Sequence, residues 1–236
     1  MGLPTLYSIQ VPLRTHRLVQ ELWPIVENKP YDEHGGPLAT TFLVAMAGPM
    51  ITFPVERIKL GQKGLTPSKV AKSEGLLTEV QSEAINTVLE NTALKETPFF
   101  QSNAWRFAQF KAYPEFRVSK LPDYVLEALT KDEAATVAAN IPTKQWVSGL
   151  RNALAHASVT YLDHNGQQAQ GAATDKIAFI CQRGNIDDPD RYDVFRISRD
   201  DFRAFLDHWA QWLEQIAMTP EPGAIEEEEG DPSIET

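Results

Sequence analysis

One short run brings together three side chains able to do chemistry: Arg151-Asn152-Ala153-Leu154-Ala155-His156. The imidazole of His156 can take or give a proton, while the guanidinium of Arg151 is a forked cation suited to phosphate oxygens. Asn152, four residues before His156, is spaced on a helix to touch the ring and orient it, or to contact a phosphate itself. The chemistry this implies is acid-base catalysis beside a stabilised anion.

Those residues need an element to hold them, and the flanking pattern predicts a helix from Thr143 to Ala157, with Thr143 as its N-cap. With Leu150 at zero on a helical wheel, Trp146, Val147, Ala153, Leu154 and Ala157 fall within roughly 60° of it and form a core face. Arg151, Asn152 and His156 fan across the opposite side. Only Ser148, Gly149 and Ala155 lie between them, so that flank reads as an open surface that receives something. The Arg-x-x-x-x-His spacing by itself decides nothing, because Arg203 and His208 have it too. That second pair reads as solvated helix surface.

The rest of the chain reads as mainly helical. Tyr7–Val11 suggests a short extended piece, followed by a helix from Thr15 with Leu18, Val19, Leu22, Trp23 and Val26 on one face. Pro30–Pro37, with Gly35-Gly36, is a turn. No charged residue occurs from Gly35 to Val55, long enough to raise a membrane span. Pro37, Pro49 and Pro54 argue against it, since a lipid-facing helix would have to satisfy the backbone groups they free, so Leu38–Phe53 is expected to be the central buried helix of a bundle. A basic connection follows, with Arg57, Lys59, Lys63, Lys69 and Lys72, and then a helix over Gly75–Leu94. Next come the aromatics Phe99, Phe100, Trp105, Phe107, Phe110, Tyr113 and Phe116, interleaved with Arg106, Lys111 and Arg117. They read as core under a solvated rim, with base stacking as the alternative. Short helices are expected from Leu121 to Leu129 and from Asp132 to Ala139.

After His156 the period changes from 3.6 to 2, and Val159–Leu162, Lys176–Gln182 and Tyr192–Ile197 read as a small antiparallel meander. Ser198 and Asp201 form a capping box for a last helix lined by Phe202, Phe205, Leu206, Trp209, Leu213 and Ile216.

Composition bounds what this fold can hold. The 236 residues, 42% hydrophobic and 23% charged, suffice for one large domain or two small ones. The formal charge of −10 is concentrated: seven acidic residues and no Lys or Arg lie in 219–236, leaving 25 acidic against 22 basic, about −3, for the remainder. That tail, rich in Pro, Gly and Glu, is expected to be disordered. A single cysteine, Cys181, and no basic-then-apolar leader point to a reducing cytoplasm. No His-x-x-x-His or Cys-x-x-Cys pair, Walker loop or dinucleotide turn appears, so neither metal nor cofactor is expected.

The string Arg-Asn-Ala-Leu-Ala-His, late in a helical chain and followed by a short meander and an aromatic helix, resembles the HEPN superfamily, and within it a plasmid-borne subfamily carrying the same six residues. The likeness is strongest over 143–216. It implies a single helical-bundle domain over 1–218, with a segment inserted at about 61–120 and the acidic tail beyond. It also implies a homodimer with facing Arg-His motifs and, in many members, metal-independent RNA cleavage of the toxin or phage-defence kind, with Arg151, Asn152 and His156 at the site. An antitoxin or other protein regulator is the implied partner besides RNA, and no membrane is involved. Other members are catalytically silent modules that bind RNA, nucleotide or protein. Family members often place Gly after the histidine, where this chain has Ala157; a tyrosine modified in some members, two residues after the histidine, is here Ser158.

Overall fold

The computed structural model describes residues 6–62, 78–115, 122–169, 173–185 and 188–219. The basic run beyond Gln62, the aromatic segment beyond Glu115 and all of the acidic tail after Thr219 lie outside the described residues, and so do the side chains of Arg57 and Lys59.

Helices α1 (Tyr7–Val26) and α2 (Ala39–Gln62) pack on each other, and α3 (Glu79–Asn91) follows. Strand β1 (Arg106–Phe110) precedes the short helices α4 (Asp123–Thr130) and α5 (Glu133–Asn140). The motif helix α6 (Thr143–Ala155) leads into β2 (Val159–Leu162), β3 (Lys176–Asn185) and β4 (Asp188–Ser198), and α7 (Arg199–Ala217) closes the fold. The expected extended piece at Tyr7–Val11 is instead the first part of α1, which carries Pro12 and Pro24 inside it. An apolar face of Ile9, Pro12, Val19 and Trp23, all buried, holds that helix through both prolines.

The meander is larger and more central than its three strands predict. β1, drawn from the aromatic segment, pairs antiparallel with β4, giving the order β1-β4-β3-β2. Phe99, Trp105 and Phe107 are buried, so these aromatics are core. The sheet is covered on both faces. Ile177, Phe179, Phe195 and Ile197 join the main helical core, while Ala178, Ile180, Val194 and Leu162 pack against Val125 and Leu129 of α4. A strand buried on both sides reads as a continuous apolar run, which is the pattern of Ile177-Ala178-Phe179-Ile180-Cys181. On the α4 side Arg196 is buried and donates to the Leu129 carbonyl at 2.6 Å. Burial, and then repulsion from Arg106, push its pKa down to about 10.

Two contacts fix the helices around α6. Trp146 stands in an aromatic cluster, with ring centroids 5.1 Å from Trp105, 5.3 Å from Phe205 and 5.8 Å from Phe99. Helix α2 keeps Leu43, Ala47, Met50, Ile51 and Val55 buried. It is less central than a fully buried helix, since only 44% of the Ala39–Glu56 window is buried and Thr41, Ala45 and Phe53 are exposed. Its prolines have assigned consequences. Pro54 has no N–H for the carbonyl of Met50 four residues earlier. The buried indole Nε1 of Trp209, in α7, donates to that carbonyl at 2.9 Å.

That substitution of a side-chain donor for a backbone one predicts a coupled pair. Trp209→Phe strands the Met50 carbonyl and should cost ~1–3 kcal/mol beyond the lost packing. In a Pro54→Ala background the restored N–H supplies the bond, so the cost of Trp209→Phe should shrink; equal costs in both backgrounds, by urea denaturation, would contradict this assignment.

Candidate functional site

The motif helix begins where α3 ends. Pro142 occupies the N-cap position and its carbonyl accepts from Gln145 and Trp146 N–H at 2.9 and 3.1 Å. Thr143 is therefore not the cap. Its backbone N–H donates to the Thr92 carbonyl at 2.9 Å and its buried hydroxyl lies 2.9 Å from that of the half-buried Thr92.

The core face follows the helical wheel through Trp146, Val147, Leu150 and Ala153. The opposite side departs from expectation. Gly149 is buried against β4: a Cβ built there would stand 2.6 Å from Cε2 of Phe195, a ring with no exposure. Its smallness serves the close approach of α6 to the sheet, so the helix is clasped by α2 on one side and by β3 on the other. The accessible flank loses Gly149 and keeps Ser148, Arg151, Asn152, Ala155 and His156.

Within that flank the three motif side chains are not assembled as one cluster. The guanidinium of Arg151 is paired with the carboxylate of Glu56, in α2, and donates to Asn152 Oδ1 at 2.5 Å. The Asn152 amide donates to the Cys181 sulfur of β3 at 3.7 Å. Both ends of Asn152 are thus occupied, and no hydrogen bond joins it to the His156 ring: the asparagine braces the arginine and not the histidine. His156 is exposed at the C-cap of α6, about 7.5 Å of helical rise beyond Arg151.

The helix ends in a Schellman closure. Ser158 N–H donates to the Ala153 carbonyl at 2.8 Å and Ala157 N–H to the Leu154 carbonyl at 3.4 Å, with Ala157 left-handed at φ 52°. This is a backbone position that glycine adopts without cost and alanine does not. It supplies a physical reason for glycine after the histidine.

Beside His156 a trough runs between α6 and β3. One hollow of about 370 Å³ is lined by Asn152, His156, Ser158 and Gln182, and it shares Asn152, Cys181 and Gln182 with a second of about 430 Å³ that reaches Gln145 and Arg183. Lys144 at the far end is paired with Glu90 at 2.5 Å, and Gln145 donates to the buried Asp193 carboxylate at 3.0 Å. The exposed guanidinium of Arg183 lies at the far end of the trough from His156. Among the described residues no three His, Cys, Asp or Glu side chains stand together as metal ligands.

The Arg203–His208 pair is not solvated surface. Arg203 lies 4.7 Å over the Trp23 ring and His208 Nδ1 is buried, because α1 packs along this stretch of α7. Next to them His16 bonds Asp207 at 2.6 Å, tying α1 to α7. Sequence reasoning missed Glu56, Cys181, Gln182 and Arg183. Glu56 did carry a signal, as the first charge after the long uncharged stretch.

No protein-family model, curated protein or solved structure matches the chain.

Two substitutions test this geometry by thermal or urea denaturation. Ala157→Gly should stabilise by about 1 kcal/mol through the left-handed residue. Gly149→Ala, although it raises helix propensity, should destabilise by ~1–3 kcal/mol because the Phe195 ring cannot retreat. A stabilised Gly149→Ala protein would mean that α6 and the sheet are not in this close contact.

Proposed function

We propose that this chain is a metal-independent endoribonuclease of the HEPN kind, with His156 as general acid or base and Arg151 as the stabiliser of phosphate charge. The observation that carries the reading is the exposed His156 on a backbone-fixed helix end, five residues beyond a guanidinium held in place by Glu56 and Asn152 and opening on a trough that ends at Arg183. RNA brings its own nucleophile. A 2′-hydroxyl attacks the adjacent phosphorus, the bond to O5′ breaks, and a 2′,3′-cyclic phosphate and a 5′-hydroxyl result. One imidazole accepts the 2′ proton, a second donates to O5′, and the guanidinium faces the non-bridging oxygens. One chain supplies a single such histidine, so the reading includes a two-fold dimer that brings a second His156 and Arg151 to the site. Regulation by an antitoxin-like protein belongs to the same reading, as does action in the cytoplasm in a toxin or phage-defence setting.

A second reading is favoured by one contact. Arg151 is already bonded to Glu56 and Asn152, as expected of a silent module in which the arginine is structural and RNA or a protein partner is only bound.

Incubating RNA with the protein in EDTA, beside Arg151→Ala and His156→Ala, decides between them. The enzyme reading expects cyclic phosphate ends from the wild type and a loss of at least roughly 100-fold in each variant. Equal cleavage in all three would rule it out. Glu56→Gln should raise cleavage if the carboxylate competes with phosphate for Arg151. A monomeric mass at tens of micromolar would count against the two-chain site. With no cleavage, RNA affinity measured against salt separates an RNA-binding module, whose affinity falls steeply with salt, from a protein-binding one.

A further inference from the structure

Two adjoining hollows along the first half of α2 gather polar groups that the fold leaves without partners. The first, about 420 Å³, lies at the amino end of the helix and is lined by Gly35, Gly36, Thr40, Thr41 and Arg199 among others. Phe42 N–H makes the opening helical bond, to the Leu38 carbonyl at 2.9 Å, so the N–H groups of Ala39, Thr40 and Thr41 have no acceptor within the helix. No acidic residue stands in that first turn and, among the described residues, no carboxylate lines the hollow. A second group asks for the same kind of ligand: Thr40, on the hollow's wall, is 5% exposed, and its hydroxyl has no hydrogen-bond partner among the described residues. Arg199 donates through Nε to Asp200 at 3.0 Å and keeps both terminal nitrogens available. One guanidinium and one helix end match a single negative charge, and fall short of the charge on a phosphate monoester.

The second hollow, about 530 Å³, shares Tyr161 and Ala169 with the first and is walled chiefly by Val44, Ala45, Leu154 and Val159. Those aliphatic walls suit a flat apolar body and offer nothing to a polyhydroxylated one. Two acceptors in it are stranded. Gln168 Oε1 is buried with no hydrogen bond, and Pro49 withholds from the Ala45 carbonyl the N–H that position 49 would otherwise donate. A ligand N–H or O–H would relieve the cost of leaving them unmet. An apolar hollow with a few convergent polar groups is the usual form of a small-molecule site. From Thr41 to Ala45 the helix rises about 6 Å, which sets the separation between an anionic head and that donor.

We propose that the joined hollows bind a small aryl-alkanoic acid: a monocarboxylate on the α2 amino end, Thr40 and Arg199, and an aromatic ring bearing one N–H or O–H between α2 and β2. The carboxylate meets the positive end of the helix dipole and a guanidinium. The ring lies against Val44, Leu154 and Val159, with its donor toward Gln168 and the Ala45 carbonyl. The site is separate from the trough beside His156 and rests on neither RNA cleavage nor RNA binding. Leu154 and Ala157 stand on its wall, so an occupant also packs beside the helix end that carries His156.

Calorimetry on the full chain tests each part of that match with three probes: indolepropionate, its uncharged amide, and naphthylpropionate, which keeps the shape and lacks the N–H. Indolepropionate should bind well above the other two. Arg199→Gln should remove its advantage over the amide, and Gln168→Met its advantage over the naphthyl acid, each by roughly tenfold. Ala45→Leu, at an exposed helix position, grows into the second hollow and should weaken all three probes without lowering the melting temperature. The same order of affinities should survive in His156→Ala. The three variants stand on different elements, so the loss of one to misfolding leaves the others to decide. No binding of indolepropionate at millimolar concentration overturns the proposal. So do margins unchanged in Arg199→Gln and Gln168→Met proteins that melt like the wild type, and so does AMP that displaces the acid and binds more tightly.

Discussion

A proline inside a helix leaves a carbonyl without its donor, and α2 has two such prolines; where the two carbonyls turn governs much of the molecule. The one freed by Pro54 is met deep in the core by the Trp209 indole, which locks α2 to α7. Glu56, about one and two-thirds turns beyond Met50, then stands against Arg151. The one freed by Pro49 belongs to Ala45, an exposed residue that lines a hollow and not the core. A single helix thereby serves as a structural strut at one end and as the wall of a cavity at the other.

The second constraint is the clasp on α6. Trp146 and Leu150 hold it to the helical core, and Gly149 lets the sheet approach its other side until Phe195 is in contact. What remains accessible is one flank of the helix, and the motif residues occupy much of it. The price of that closeness is that the flank is crowded: Asn152 is drawn into bracing, and the arginine is turned toward α2.

Much of this was readable beforehand. Strand β2 has the bounds its alternation predicts, α7 buries the face its period marks, and the core side of α6 follows from Leu150 outward. The misses share a cause, that single-residue types were read for local preference where tertiary contact decided. The weak alternation of Tyr7–Val11 reads as an extended piece until the packed face of α1 is known. Gly149 reads as open surface because a missing side chain looks the same whether it faces solvent or a ring. Arg203 reads as exposed because charge usually is, yet its guanidinium lies on Trp23, a residue 180 positions away. Asn152 is placed correctly on its face, but four-residue spacing does not say which of two neighbours, Arg151 or His156, its carbonyl will choose. Lys176–Gln182 reads as period 2, yet its apolar run Ile177–Cys181 is unbroken, the pattern of a strand buried on both faces, which is how the meander comes to stand inside the fold.

The Schellman closure after Ala155 fixes the backbone of His156 with main-chain hydrogen bonds alone, and nothing in the described residues holds its ring. The imidazole therefore keeps its rotameric freedom in the free chain. Whatever docks against this end must order it, at a cost of about 1 kcal/mol per ring in side-chain entropy. A site built from two such rings begins with that cost doubled, and contacts elsewhere on the docking surface have to offset it before any proton moves.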